Sequence, residues 1–271
     1  MKALLTTTLL ALTTLAATAQ SGAAPEFKST CENQWQGNNH KQHCETRDLT
    51  MPTPASGQAL TVNGGNNGGI TVRAWTGSDV RVRARVQTWG KGTSTIDKLQ
   101  EQAKAIKINT SNNTLKAESN GDDDWSVSYE VLVPQKTALS LTTHNGGIHI
   151  ENVQSSIAFE AQNGGITLKG LGGDVRGKTQ NGGVNVALTG KQWEGKGLDI
   201  VTTNGGITWQ IPEAYSAQLT TSTVRGNVRT DFPMTVQGRV GRELNMKLGK
   251  GGAPVSVVTT NGGVTVKRAE N

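Results

Sequence analysis

The stretch LTTHNGGIHI at residues 141–150 is answered by FEAQNGGITL at 159–168 and GKTQNGGVNV at 177–186, each copy 18 residues after the last. IVTTNGGITW at 200–209 follows after 23 residues, and VVTTNGGVTV at 257–266 closes the series. An earlier NGGI stands at 67–70, and a degenerate copy at Arg225-Gly226-Asn227-Val228. Aligned on Asn67, Asn145, Asn163, Asn181, Asn204 and Asn261, the sequence shows a second regularity. Six residues before the asparagine stand Leu139, Ile157, Val175, Leu198 and Val255; four before stand Leu141, Phe159, Gly177, Ile200 and Val257. After the glycines come Ile148 with Ile150, Ile166 with Leu168, Val184 with Val186, Ile207 with Trp209, and Val264 with Val266. This period of two marks the inward face of two short strands joined at each turn. A repeat step near 20 residues signals stacked coils, none able to bury its apolar face without its neighbours. The expected fold is all-β, a β-solenoid of β-helix or β-roll type with one amphipathic helix in its N-terminal half.

The Asn-Gly-Gly unit reads as a structural turn. Asparagine and glycine tolerate the positive φ of tight turns, and glycine lets stacked backbones approach. Stacked asparagines are expected to hydrogen-bond as a ladder along the stack. Calcium-binding glycine-rich rolls carry a regularly placed aspartate, which this repeat lacks.

Two segments precede the repeat domain. Residues 1–19 read as a signal peptide, with Lys2, an apolar run to Leu15 and the small Ala17-Thr18-Ala19 cleavage site. No later segment is long and apolar enough for a membrane span, so the mature chain is expected in the periplasm or at the cell surface, without a transmembrane segment. Residues 20–56 form an arm and linker containing both cysteines, Cys31 and Cys44. In an oxidising compartment these pair; a zinc site using His40 and His43 is the alternative, disfavoured because adjacent His43 and Cys44 aim poorly at one tetrahedral ion. Residues 57–271 form the repeat domain.

Within that domain VRVRARV places Val80, Val82, Ala84 and Val86 on one side and Arg81, Arg83 and Arg85 on the other. STIDKLQEQAKAIK (94–107) is the convincing helix, with Ile96, Leu99, Ala103 and Ile106 on one stripe, Ser94 as cap and Asp97 in the first turn. A hairpin is expected around Asn112-Asn113, and WSVSYEVLVP turns Trp125, Val127, Tyr129, Val131 and Val133 inward. The Asp122–Asp124 triplet between them reads as a solvated loop.

The pieces GGITVRAWTGSDVRVRA, YEVLVP leading into LTTHNGGIHI, ITWQIP followed by TSTVRGNV, and VVTTNGGVTV occur in an order that resembles the bacterial putative adhesin family over roughly residues 57–268. The resemblance implies a β-helix-like envelope protein with no assigned reaction, some relatives accompanying envelope-stress signalling. The cysteine arm lies outside it.

Catalysis on such a scaffold, as in glycan lyases or hydrolases, needs acids and bases converging on one patch. The outward positions instead carry Ser140, Thr142, His144 and His149, then Glu160, Gln162 and Thr167, then Arg176, Lys178, Gln180 and Asn185. Glu160, Asp174 and Asp199 do not recur at equivalent positions, so no enzyme, cofactor or metal is expected, and a glycan-active enzyme is the alternative. Trp35, Trp75 and Trp89 are expected to be partly exposed; Trp125 and Trp209 fall on core positions. Without Lys2 the chain holds 26 basic against 21 acidic residues, a net +5. Residues 73–107 alone carry eight basic (Arg73, Arg81, Arg83, Arg85, Lys91, Lys98, Lys104, Lys107) against three acidic (Asp79, Asp97, Glu101). The excess is local, and it suits an envelope polyanion or an envelope protein better than nucleic acid. Arg81, Arg83 and Arg85 are therefore the candidate binding residues. A purely structural surface element is the third reading.

Overall fold

The computed structural model describes residues 25–31, 40–120, 124–232 and 241–269. The expected signal peptide, Trp35, and Asp122 and Asp123 lie outside the described residues. Among the described residues the protein is mostly β, with one short helix, and the strands form two mixed ten-stranded sheets. Eight coils of chain run between them, each giving one strand to the second sheet and then one to the first. Neighbouring coils pair in parallel with residues in register: Ile157 lies between Leu139 and Val175, and Ile166 between Ile148 and Val184. The apolar side chains at the inward positions aligned from the sequence are buried in one continuous core. Where one coil has a large side chain the next makes room: a Cβ on Gly177 would lie 2.1 Å from the Phe159 ring.

Chain order and spatial order differ at both ends of the stack. Coil 59–75 is second, packed between coil 114–134 and coil 138–151. Coil 254–268 is second from the other end, inserted between coil 197–211 and coil 217–230. The degenerate turn at 225–228 is thus the outermost copy, which explains the long gap before the final Asn-Gly-Gly.

Beyond the first coil the first sheet gains two antiparallel strands, Val80–Lys91 and His40–Met51. The second of these, expected in a short stapled arm, pairs along all 12 of its residues. Helix Ile96–Ala105 packs on these two strands and buries Leu99 and Ala103. Its cap is Thr95, not Ser94: the Thr95 side chain accepts from the Lys98 amide, while Ser94 Oγ donates to the Lys91 carbonyl. At the other helix end Arg47 donates to the Ala103 and Ile106 carbonyls at 2.7 and 2.6 Å, filling acceptors that a helix terminus leaves open. The hairpin at Asn112-Asn113 forms with both residues at positive φ (53° and 57°), as a tight two-residue turn requires.

The turns themselves are held differently from the expectation. None of the six repeat asparagines has a positive φ. Their glycines answer to space: a Cβ on Gly146, Gly164, Gly182, Gly205 or Gly262 would lie 1.9–2.2 Å from a carbonyl oxygen of the neighbouring coil. The asparagine amides form a continuous ladder, each Nδ2 donating to the next Oδ1. The steps are Asn145 to Asn67 (3.1 Å), Asn163 to Asn145 (2.8 Å), Asn181 to Asn163 (2.7 Å), Asn204 to Asn181 (2.8 Å) and Asn261 to Asn204 (2.7 Å). Arg225 stands next in register and ends it.

Candidate functional sites on the two outer faces

On the outer face of the first sheet the alternation of Val80–Lys91 is realised: its valines and Ala84 are buried, and Arg81, Arg83 and Arg85 point outward. The row is not a bare cationic strip. Arg83 forms a two-pronged pair with Asp48 across the neighbouring strand, Nε to Oδ1 and Nη2 to Oδ2 both at 2.7 Å, and lies over the Phe27 ring. That hydrogen bond from Arg83 holds the Asp48 carboxyl below its ordinary range. Arg81 meets Asp79 at 3.4 Å and covers the Trp75 ring. Trp75 is buried, its indole donating to the Asp79 carbonyl, which corrects the expectation of an exposed ring. Trp89 and Trp125 are half-buried, and Trp209 is fully enclosed.

Segment 25–31 lies over this face. A disulfide joins Cys31 to Cys44. The Lys28 and Ser29 amides donate to the Glu130 carboxylate at 2.8–3.0 Å, and Arg73 pairs with the same carboxylate while donating to the Glu26 carbonyl. The Arg73 and Glu130 side chains are only 12% and 5% exposed. Burial pushes Glu130 upward, but the two amides and the guanidinium outweigh it and hold the carboxyl below its ordinary value. This contact explains why Glu130 and Leu132 are buried although they alternate outward.

Beside the segment runs a groove of about 550 Å³ containing Lys28, Arg73, Arg85, Glu130, His149 and Glu151. Burial lowers the His149 pKa, with Lys169, Lys28 and Arg73 acting in the same sense against Glu151. A hydrogen bond from Lys169 at 3.0 Å is the main cause lowering Glu151. His144 is exposed on the far side of the turn. The sequence separates these residues too widely for their meeting to be foreseen; only the stack's register brings Arg73 beside Glu151 and His149 beside Thr71.

The outer face of the second sheet carries a larger groove, of about 940 Å³. Two in-register rows build it: Ser140, Ala158, Arg176 and Asp199, and beside them Thr142, Glu160, Lys178 and Val201. Lys178 and Glu160 pair at 3.0 Å. Val201 is paired with Val258 and is 44% exposed; Val224, on the strand beyond that of Val258, is 59% exposed. Among the described residues these two are the exposed large apolar side chains, and both lie on this face. Sequence reading missed the patch because each valine, taken alone, looks like one more strand residue.

Fold and faces together define a stacked-coil β protein with a groove on each outer face. Residues 135–267 match the Toastrack DUF4097 family model. No curated protein matches the chain by sequence. Solved structures align over most of it. A putative cell adhesion protein from Clostridium sporogenes covers 83% of this chain and 100% of its own, at 12% identity and TM-score 0.43. A putative adhesin from Bacteroides fragilis covers 83% and 97%, at 15% and 0.33. A putative lipid binding protein from Parabacteroides distasonis covers 84% and 97%, at 10% and 0.30.

Proposed function

We propose that the protein is an exported, non-catalytic β-solenoid scaffold of the cell envelope that seats a partner protein on the outer face of its second sheet. The observation that carries this reading is the exposed Val201, with half-buried Val258 beside it and exposed Val224 one strand further and two residues along, bordered on the other side by Lys178, Arg176 and Glu160 on an in-register surface. An apolar centre inside a polar rim is the anatomy of a protein interface. Export is supported by the Cys31–Cys44 disulfide, a bond that persists in oxidising compartments. The arginine row is a weaker docking surface, since Arg81 and Arg83 are occupied by Asp79 and Asp48. A non-catalytic role fits the carboxylates: Glu130, Glu151 and Asp48 are held below their ordinary values, whereas a glycosidic general acid needs a raised one.

A photo-crosslinking residue placed at Gln180 in the groove, in the producing cell, tests this. It should give a discrete protein adduct that disappears on Val201→Glu, while the same crosslinker at Asn185 on the opposite sheet gives none. An adduct that persists in Val201→Glu, with far-ultraviolet circular dichroism unchanged, would overturn the assignment.

A further inference from the structure

The arginines around the arm have carboxylate partners, with one exception. Arg47 pairs with Glu45, Arg73 with Glu130, Arg81 with Asp79 and Arg83 with Asp48. Arg85 has no such partner among the described residues; its Nε, like that of Arg73, is shielded from solvent without an acceptor. Its neighbours across the sheet, Thr46 and Ser128, are uncharged. The groove it lines holds two carboxylates, both committed: Glu130 to Arg73 and the backbone of segment 25–31, and Glu151 to Lys169. The charges of Arg85 and Lys28 are therefore unmatched inside a concavity, where a guanidinium N–H lacking an acceptor is costly.

We propose that this groove is an oxyanion site, in which Arg85 and Lys28 hold one carboxylate, sulfate or phosphate group of an envelope molecule. A guanidinium presents paired N–H groups that match two oxygens of one anion. Arg85 is also pre-positioned, because Ala84 and Val86 on either side of it are anchored in the core. Arg73, fixed by Glu130, lines the same groove. The site lies on the sheet opposite the valine patch and does not depend on a partner seated there.

The test uses the mature protein with its disulfide intact. Sodium phosphate, sulfate, acetate and glucuronate are titrated in at low ionic strength while the His149 ring is followed by NMR. That ring feels Glu151, Lys169, Lys28 and Arg73, so an anion held beside them raises its titration midpoint. At least one anion should saturate, raise the midpoint, and bind about tenfold more weakly to Arg85→Gln. Arg81→Gln, whose guanidinium is spent on Asp79 and the Trp75 ring, should bind as the wild type does. A preference for phosphate supports the site and points to a phosphorylated headgroup or wall polymer; a preference for glucuronate supports it and points to an acidic polysaccharide. No shift with any of the anions, or equal affinity in a folded Arg85→Gln, overturns it.

Discussion

Gly164 and Gly165 are adjacent in one turn, yet a Cβ on the first would lie 1.9 Å from the Gly146 carbonyl oxygen and on the second 3.6 Å from that of Gly183. The first contact is with backbone, which can yield only by parting two coils; the second is ordinary packing. Gly164→Ala should therefore cost about 3 kcal/mol, the upper end for overpacking, and Gly165→Ala close to nothing, as thermal denaturation of both would show. The repeat was legible in the sequence, but its cause was not. Positive φ and close approach predict the same letter, and only coordinates separate them. A second residue pattern went unread: Thr143, Thr179, Thr202 and Thr259, each two before the asparagine, donate from a buried hydroxyl to a glycine carbonyl of the preceding coil at 2.6–2.9 Å. The fourth of the stacked coils has Ala161 instead, also buried. Its neighbours already accommodate threonine there, so Ala161→Thr should supply the missing bond to Gly146 and raise stability by about 1 kcal/mol. A lowered melting temperature would show that the site is shaped for alanine.

Among the elements, the core face and arginine face of Val80–Val86 are legible in VRVRARV, because a period of two needs only local sequence, while the strand's continuation to Lys91 is not. What covers the arginine face was illegible, since the partners lie far off in sequence: Glu130 is 102 residues from Lys28. The consequence is a strand face stapled under a segment by one carboxylate and one disulfide. Removing one member of a mostly buried ion pair leaves the other uncompensated, so Glu130→Gln should destabilise the protein by about 3 kcal/mol and expose the Lys28 and Ser29 amides to hydrogen exchange. Acid should do the same without mutation. Glu130, Asp48, Glu151 and Glu45 all have folded pKa values below their ordinary ones. The unfolded chain therefore takes up these protons first, and the stability they contribute is intact near neutrality and declines as pH falls below about 5. Exchange at Lys28 and Ser29 that stays constant from pH 7 to pH 4, after correction for intrinsic rates, would show that the carboxylate does not hold the segment.

For the whole molecule, the repeats revealed the cross-section of the stack but not its order. Eight coils wound in sequence would place the chain's last coil at an end, free to fray like any terminal repeat. Here coil 254–268 is bonded on both sides, to 197–211 and to 217–230, and the outer position is taken by a coil followed by the antiparallel strand Glu243–Leu248. The same device recurs at the other end, where coil 59–75 lies inside 114–134. No local pattern encodes this, because the parallel partners of every coil are chemically alike and several orders satisfy the same inward residues. The arrangement makes opening the terminal coil a global event, since its strands leave only if two neighbouring interfaces break together. Native-state hydrogen exchange should accordingly place the amides of Val255, Val257 and Val264 in the slowest class, with Val175 and Val184 of the central coil, despite their closeness to the chain end. Protection in coil 254–268 that falls to the level of the edge strand Glu243–Leu248 would mean that the last coil opens alone, and that the inserted order confers no cooperativity on the stack.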